Sequence, residues 1–183
     1  MNSADAVRNM MNIVTEHVLQ EHEPLVVVVS AMGKTTNLLE RLLDDSSAFW
    51  QLEDYHRSIA ADLLPGDDDV QCTIDRLLEE VKGALAIPPT DGYNYRYDQV
   101  VSHGELLSTS IIAAYINDRG ISTQWVDARE LIVTDARFRE ARVDWQATRQ
   151  AVNACFLRES PPYQVFLTQG FIGGVGSQLS NLD

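Results

Sequence analysis

A run of aliphatic residues, followed by small residues and then by an amphipathic pattern, constrains the fold more than any other segment. Residues 25–29 are leucine and valine without polar interruption, which is typical of a strand covered on both faces in a parallel sheet. Ser30 and Gly33 belong to the small-residue segment that follows, and leucines recur at helical spacing after Thr36. The segment therefore predicts a strand, a turn and a helix, with a threonine capping the helix start.

The carboxyl end of this strand is the predicted place for a ligand. In open α/β sheets, ligands bind beyond the carboxyl ends of the strands. A helix that begins there presents free backbone N–H groups and the positive end of its dipole, which favour a carboxylate or a phosphate. The alternative is purely structural, with Gly33 easing a turn and Thr36 capping a helix.

The sequence Gly33-Lys34-Thr35 copies the end of the phosphate-binding P-loop motif. That motif requires an earlier glycine at the place of Val28, which lies inside the predicted strand. A P-loop is therefore disfavoured, because no loop long enough to wrap a triphosphate is left. Lys34 is interpreted as a solvated loop residue.

Composition describes one soluble domain or a large part of one. The chain has 183 residues, of which 45% are hydrophobic and 22% are charged. Its net charge of -13 and its scattered arginines argue against binding to nucleic acid or to an anionic membrane. Cys72 and Cys155 lack metal-ligand spacing, so buried thiols in a reducing compartment are expected. Without a signal-peptide pattern or a membrane-spanning run, the cytoplasm is the expected location.

Predicted helices alternate with predicted strands along the chain. Helical periodicity covers residues 5–22, 43–63 with a bend at 44–47, 70–87, 100–120 and 144–157, and extended segments cover residues 121–126, 132–133 and 163–168. Residues 91–97 are predicted to be a polar link. This order predicts an α/β three-layer sandwich with a mostly parallel central sheet. The sheet would be incomplete, because the helix over residues 5–22 needs a strand before it.

Glu105 is the candidate for recognising an ammonium group. It follows His103 and Gly104 in the predicted 100–120 helix, where a glycine costs about 1 kcal/mol relative to alanine and so indicates a close approach. The alternative is an exposed helix acid. His103 is interpreted as a histidine at the surface or behind the site, because no neighbouring residue completes a metal or nucleophile set. The acids at residues 67–69 are interpreted as a solvated helix start.

Four segments carry a family resemblance: VVVVSAMGKTTNLL, SHGELLST, WVDARELIVTDARFREARV and FLTQGFIGG. Together they are similar to successive landmarks of the catalytic domain of aspartokinases, in the amino-acid kinase family. The resemblance extends from the first helix to about Gly174. It implies a sheet between helices and ATP-dependent phosphorylation of the β-carboxylate of L-aspartate, the entry step to lysine, threonine and methionine. ATP and Mg²⁺ are the implied cofactors.

The resemblance also assigns substrate-binding residues by position. Thr36 resembles the family's aspartate-binding threonine. Glu105 resembles the glutamate that meets the amino group of the substrate. Ser30 and Gly33 would shape the same pocket. A hydroxyl and backbone N–H groups suit an anion, and a carboxylate suits an ammonium group.

Nucleotide contacts are expected at the glycine-rich end of the last predicted strand. Gly170 and Gly173 would let a ligand approach the backbone closely. The family's Lys-Phe-Gly-Gly-Thr-Ser strand and loop, and its later Gly-Arg-Gly-Gly-Ser-Asp type loop, have no counterpart. Residues 1–183 therefore resemble the aspartate-binding part of a catalytic domain, without regulatory ACT domains, and weak activity is expected from this chain alone. No catalytic residue and no metal ligand is assigned.

The sequence leaves three functions open. The first is aspartate kinase, with L-aspartate and ATP as ligands. The second is a non-catalytic regulatory or interaction fragment of the same fold. The third is a kinase of the same fold acting on glutamate derivatives, carbamate or a nucleotide, which the SHGE and TTNLL segments disfavour. A homodimer is left open, and neither nucleic acid nor a membrane is expected as a partner.

Overall fold

Three parallel strands form the centre of the molecule. The computed structural model describes residues 2–20, 24–156 and 163–170. Within them, β1 (Leu25–Val29), β2 (Thr123–Val126) and β3 (Val165–Gln169) form one sheet in the order β1, β3, β2. Val165 is in register with both Leu25 and Thr123. The carboxyl ends of the three strands therefore meet at one edge.

Helices surround this sheet. The α-helices of the described residues are α1 (Ala4–Gln20), α2 (Thr35–Leu42), α3 (Phe49–Leu63), α4 (Asp68–Leu85), α5 (Tyr93–Val101), α6 (His103–Asp118), α7 (Ala128–Leu131) and α8 (Trp145–Phe156). Short 3-10 helices lie at Ser46–Ala48 and Pro89–Asp91. No helix among the described residues has the length and apolarity that crossing a membrane requires.

Local sequence explains where α4 begins and α6 ends. The Asp67 side chain accepts a hydrogen bond from the N–H of Val70 at 3.0 Å and thereby caps α4, whose first turn contains two further acids. The interpretation of residues 67–69 as a helix start is therefore confirmed. Gly120 follows α6 with φ +84°, the left-handed conformation that commonly ends a helix.

Helix α6 lies against the sheet and forms the centre of the larger core. Leu107, Ile111 and Ile112 of α6 are fully buried, and the helix contacts all three strands. Helices α3, α4 and α5 pack on its other side. Each aliphatic side chain buried in this way contributes roughly 1.5–3 kcal/mol relative to an exposed one.

A smaller core covers the opposite face of the sheet. Val126 of β2 and Phe166 of β3 pack with Val152 and Phe156 of α8. The rings of Phe156 and Phe166 meet edge to face with 4.9 Å between their centroids. Helices therefore lie on both faces, which confirms the predicted three-layer α/β sandwich with a parallel sheet.

Strand β1 is covered on only one face by the described residues. Val27 packs against the larger core, whereas Val26 is 51% exposed and Val28 is 63% exposed. The prediction of a strand covered on both faces is wrong for this part of the chain. The reason is that the smaller core lies over β2 and β3 and does not extend to β1.

The segment before and within the long central helix differs from its prediction. The helix predicted over residues 100–120 is two helices, because the chain bends at Ser102 between α5 and α6. Helix α5 already begins at Tyr93, inside the segment predicted as a polar link. Its polar and tyrosine-rich sequence lacks the apolar spacing that would have indicated a helix.

Two smaller predictions have different outcomes. Residues 132–133 are extended as predicted, because Ile132 has extended backbone angles and the carbonyl oxygen of Val133 accepts a hydrogen bond from the N–H of Asp144, and an isolated antiparallel bridge joins Thr134 to Val143. Cys72 is exposed, because the buried face of α4 is formed by other residues such as Ile74 and Leu77, and Cys155 is partly buried. The two cysteines are therefore not the buried thiols that were expected.

Candidate functional site

Glu105 is a buried acid near the carboxyl edge of the sheet. It lies in the first turn of α6 and is 6% exposed. Its carboxylate accepts a hydrogen bond from the Ser30 hydroxyl, with 3.3 Å between Oγ and Oε1, and another from the backbone N–H of Ala31. The alternative of an exposed helix acid is therefore wrong. The structure joins two of the predicted site residues, Glu105 and Ser30.

The burial of Glu105 changes its ionisation. Burial raises the pKa of the carboxyl group to about 7, because the charged form loses solvation. The hydrogen bonds from Ser30 and Ala31 favour the charged form and offset part of this rise. A positive charge placed beside Glu105 would stabilise its ionised form further, so the site suits an ammonium group.

Hydrogen bonds from α6 fix the position of Glu105. The Ser108 hydroxyl donates to the carbonyl oxygen of Ser30 at 3.0 Å, which ties the end of β1 to α6. The Thr109 hydroxyl donates to the carbonyl oxygen of Glu105 at 2.7 Å, and the indole N–H of Trp125 donates to that hydroxyl at 2.8 Å. Residues of β1, α6 and β2 therefore hold one another in place around the acid.

Gly104 lets the start of α6 lie against the start of α2. A methyl group at this position would come within 3.0 Å of both Leu39 Cδ1 and Thr35 Cγ2, and within 3.3 Å of Ala31 Cβ. These distances are shorter than ordinary carbon contacts, so a side chain here would have to displace its neighbours. The close approach that the helical glycine predicted is confirmed.

The loop between β1 and α2 contains the other two predicted substrate-binding residues. Gly33 has φ +57°, and a Cβ atom there would lie 2.6 Å from the Tyr55 hydroxyl oxygen. Thr36 lies in the first turn of α2 and is half-buried. The N-cap residue of α2 is Lys34, and no side chain caps the helix, so the prediction of a threonine cap is wrong. The pairing of Thr36 with Glu105 around one ligand stays a prediction.

A cavity of about 360 Å³ borders the same loop. Its lining includes Gly33, Lys34, Arg41 and Tyr55, but neither Thr36 nor Glu105. Lys34 is exposed, which confirms its interpretation as a solvated residue. The cavity is therefore adjacent to the predicted substrate-binding residues and does not contain the pair on which recognition would depend.

Gly170 lies at the carboxyl edge of the sheet, directly after β3. Its backbone N–H donates to the carbonyl oxygen of Val29 at 3.1 Å, which places it beside the end of β1 and next to Ser30. Apart from its chain neighbours, no described residue comes within 4 Å of the position that a Cβ on Gly170 would take. Gly173, the other predicted nucleotide contact, lies outside the described residues.

Asp127 and Gln169 complete the same edge and were not predicted. Both are buried, and the Gln169 amide donates to an Asp127 oxygen at 2.6 Å. The guanidinium of Arg129 donates to the same carboxylate at 2.6 and 2.9 Å. The signal that could have identified Asp127 is its place immediately after a strand, which it shares with Ser30.

His103 is buried, so the surface alternative of its interpretation is wrong, and the alternative that places it behind the site remains a prediction. It is 6% exposed, and its Nδ1 lies 2.8 Å from the carbonyl oxygen of Gln99. Burial lowers the pKa of His103, and the positive charge of Arg129 lowers it further. Within the described ranges, no group of three or more histidine, cysteine, aspartate or glutamate residues could hold a metal ion. No described residue is therefore assigned to Mg²⁺.

Comparison with known proteins identifies the family. The model of the amino acid kinase family matches residues 1–182. This chain belongs to the amino acid kinase family. The lysine-sensitive aspartokinase 3 of Escherichia coli (strain K12) is 33% identical to this chain over 174 residues, which are 89% of the chain and 37% of that relative. The bifunctional aspartokinase/homoserine dehydrogenase 1 of Arabidopsis thaliana is 28% identical over 189 residues, 94% of the chain and 20% of that relative.

Solved structures show the same likeness. Aspartokinase III of E. coli in complex with lysine and aspartate, in the T-state, superposes with a TM-score of 0.74 and 28% identity, over 90% of this chain and 38% of that solved chain. The same enzyme in complex with aspartate and ADP, in the R-state, gives a TM-score of 0.73 at 28% identity. The chain thus spans between 20% and 38% of the length of these relatives.

Proposed function

We propose that this chain is the aspartate-binding part of an aspartate kinase, which transfers a phosphoryl group from ATP to the β-carboxylate of L-aspartate. The observation that carries the proposal is the buried Glu105 beside Ser30 at the carboxyl edge of a parallel sheet. Aspartate kinases among its relatives, one of them solved with aspartate and ADP, support it.

Two different parts of the site would bind the positive and the negative groups of aspartate. The Glu105 carboxylate would accept a hydrogen bond from the ammonium group. The positive charge of that group would stabilise the ionised carboxylate, which burial destabilises. The start of α2, which has no side-chain cap, would receive a carboxylate together with the Thr36 hydroxyl. Gly104 keeps these two helix starts in contact, so one small ligand could reach both.

Phosphoryl transfer depends chiefly on positioning and on neutralising charge. Gly170 and the neighbouring end of β1 would leave backbone accessible to a nucleotide at the same edge. Mg²⁺ would assist such a transfer by neutralising charge on the phosphates. The proposed substrates are soluble, so a cytoplasmic location belongs to the same proposal.

A non-catalytic regulatory or interaction role is the second candidate. It is supported by the exposure of Lys34, the lysine in the β1–α2 loop. Titration with Mg-ATP and a phosphoryl-transfer assay separate the two candidates. Binding of both aspartate and Mg-ATP, with turnover that is at least weak, supports the kinase, whereas binding of neither ligand supports the second role.

Calorimetric titration with L-aspartate and with succinate tests the substrate assignment. Succinate keeps both carboxylates and lacks the ammonium group, so the wild type is expected to bind it more weakly. In Glu105→Ala the affinity for aspartate should fall by at least about 30-fold, or 2 kcal/mol, while the affinity for succinate changes little. Glu16→Ala, at an exposed position of α1, is the matched control. Unchanged aspartate binding by a folded Glu105→Ala variant would reject the site.

A further inference from the structure

The cavity of about 360 Å³ beside the β1–α2 loop is a groove lined by α2 and α3. We call it the α2–α3 groove. Lys34, Leu38 and Arg41 line it from one side, and their spacing along the chain places them on one face of α2. Gln51 and Tyr55, which lie on successive turns of α3, line it as well. Regular helical spacing therefore brings these five side chains to one cavity.

Two contacts fix the position of Tyr55 in the α2–α3 groove. Its hydroxyl donates a hydrogen bond to the carbonyl oxygen of Asn2 at 3.1 Å. The loop at Gly33 lies against the same hydroxyl, since a Cβ atom on Gly33 would come within 2.6 Å of its oxygen. The ring of Tyr55 and the side chain of Leu38 are therefore stable apolar parts of the lining.

The lining of the α2–α3 groove contains positive charge without negative charge. No aspartate or glutamate lines it, although the chain contains 27 of these residues. Lys34 and Arg41 are both exposed, and neither side chain forms an ion pair with a described residue. An anion in the groove would therefore meet two cations whose charge no lining residue compensates.

Two other cavities differ from the α2–α3 groove in this respect. A cavity of about 350 Å³ next to α4 and α6 is lined by three aspartates, which would repel an anion. A cavity of about 610 Å³ beside α1 is lined by Arg8 and Arg119, but each of these arginines forms an ion pair with at least one aspartate. Uncompensated positive charge thus distinguishes the α2–α3 groove from both.

The two cations of the groove are separated along α2. Seven positions in a helix correspond to roughly 10 Å, so Lys34 and Arg41 lie near opposite ends of the helix. Leu38 lies between them on the same face and presents an apolar side chain to the groove. A ligand that uses the whole groove therefore needs an anionic group at each end and an apolar segment in its middle.

We propose that the α2–α3 groove binds a small ligand with two anionic groups joined by a short apolar segment, and that Lys34 binds one of these groups and Arg41 the other. The site is distinct from the proposed aspartate site, because neither Thr36 nor Glu105 lines the groove. The proposal does not depend on the proposed binding of aspartate, so each of the two can fail without the other.

Dicarboxylates of increasing length test the proposal by nuclear magnetic resonance. Succinate, adipate and suberate differ only in the number of methylene groups between their carboxylates, and the side-chain amide of Gln51 reports binding inside the groove. The affinity measured at this amide should rise about threefold from succinate to suberate, because only the longer ligand reaches both cations. Added salt should weaken it, since both cations are exposed. Equal affinities along the series, or an unchanged Gln51 amide with suberate, would overturn the proposal.

Substitution of each cation tests the assignment of the two anionic groups. Lys34→Met and Arg41→Met should each weaken suberate binding by about two- to fivefold and remove the dependence on ligand length. Lys82→Met and Arg76→Met, which each remove one exposed cation of α4, are the matched controls for net charge and should keep the wild-type affinity. Unchanged suberate affinity in Lys34→Met or in Arg41→Met, or an equal loss in the controls, would overturn the proposal.

A further variant separates the groove from the proposed aspartate site. Glu105→Ala should keep the wild-type affinity for suberate at the Gln51 amide, because Glu105 does not line the groove. A loss of suberate binding in a folded Glu105→Ala variant would place the ligand at the Glu105 site and overturn the proposal. Failure of aspartate to bind the wild type would refute the proposed function and leave the suberate result to decide the groove by itself.

Discussion

Glu105 and Asp98 are two buried acids on successive helices, and their partners differ. Glu105 accepts hydrogen bonds from Ser30 and Ala31 at the end of a central strand, whereas Asp98 accepts one from a loop residue 41 positions away. Burial raises both pKa values, to about 7 and about 6 respectively. The comparison shows that one physical state, a desolvated carboxylate, can prepare a place for a ligand in one region and hold a loop in another.

The largest expected effect is on stability: the free energy of unfolding should depend on pH over a different range for each of the two acids. Each carboxyl has a pKa above its ordinary value in the folded protein, so the folded state retains a proton that the unfolded state has lost. The free energy of unfolding should therefore fall by roughly 2–3 kcal/mol for each group as the pH rises through its window. The pH windows run from the ordinary pKa of 4.5 to about 7 for Glu105 and from the ordinary pKa of 3.8 to about 6 for Asp98.

Urea denaturation of Glu105→Gln and Asp98→Asn between pH 4 and pH 8 measures this difference. Each variant removes one titrating group, so its stability relative to the wild type should increase within its own window and stay level above it. If the free energy of unfolding of a variant differs from that of the wild type by the same amount at every pH from 4 to 8, the corresponding acid does not titrate as described.

The next effect concerns binding and applies to Glu105 alone. With a pKa of about 7, the ionised fraction of the free acid rises from about a tenth at pH 6 to about nine tenths at pH 8. The affinity for aspartate should therefore rise about tenfold over this range, with release of a proton on binding near pH 6. Calorimetry in two buffers with different ionisation enthalpies measures the proton release. Succinate should show neither effect, and Asp98→Asn should keep both for aspartate.

The smallest expected effect tests the contact between the helix starts near Glu105. Outside the backbone of its own helix, no described residue comes within 4 Å of the Cβ position of Gly83 in α4, so Gly83→Ala should stabilise the protein by up to about 1 kcal/mol. Gly104→Ala should gain less or nothing, because the new methyl group would displace Thr35 and Leu39. Its affinity for aspartate should fall several-fold. Equal stabilisation by the two alanines, with unchanged affinity, would show that the close approach at Gly104 has no role.

Sequence patterns predicted the elements that depend on local spacing. The apolar periodicity located α1, α3 and α4, and the helical glycine at residue 104 indicated a close approach. The place of Glu105 directly after this glycine made it a candidate, and the family resemblance assigned it to the amino group of the substrate. These features are encoded within a few neighbouring residues.

Features that depend on distant parts of the chain were not predictable. Nothing near Asp98 in the sequence indicates that a residue 41 positions later would donate its N–H to it. The same limit explains Gln169 and Asp127, which meet only when β2 and β3 pair. For the same reason the exposed face of β1 was not predicted, because its exposure depends on where the distant helix α8 packs.

The exposed valines of β1 affect how the protein behaves in concentrated solution. In the described sheet β1 lies at an edge, and Val26 and Val28 present an aliphatic surface there. An apolar edge strand is a template on which a strand of another molecule can add. Storage and crystallisation conditions should therefore be chosen against edge-to-edge polymerisation, and Val28→Lys is the first solubilising substitution to make.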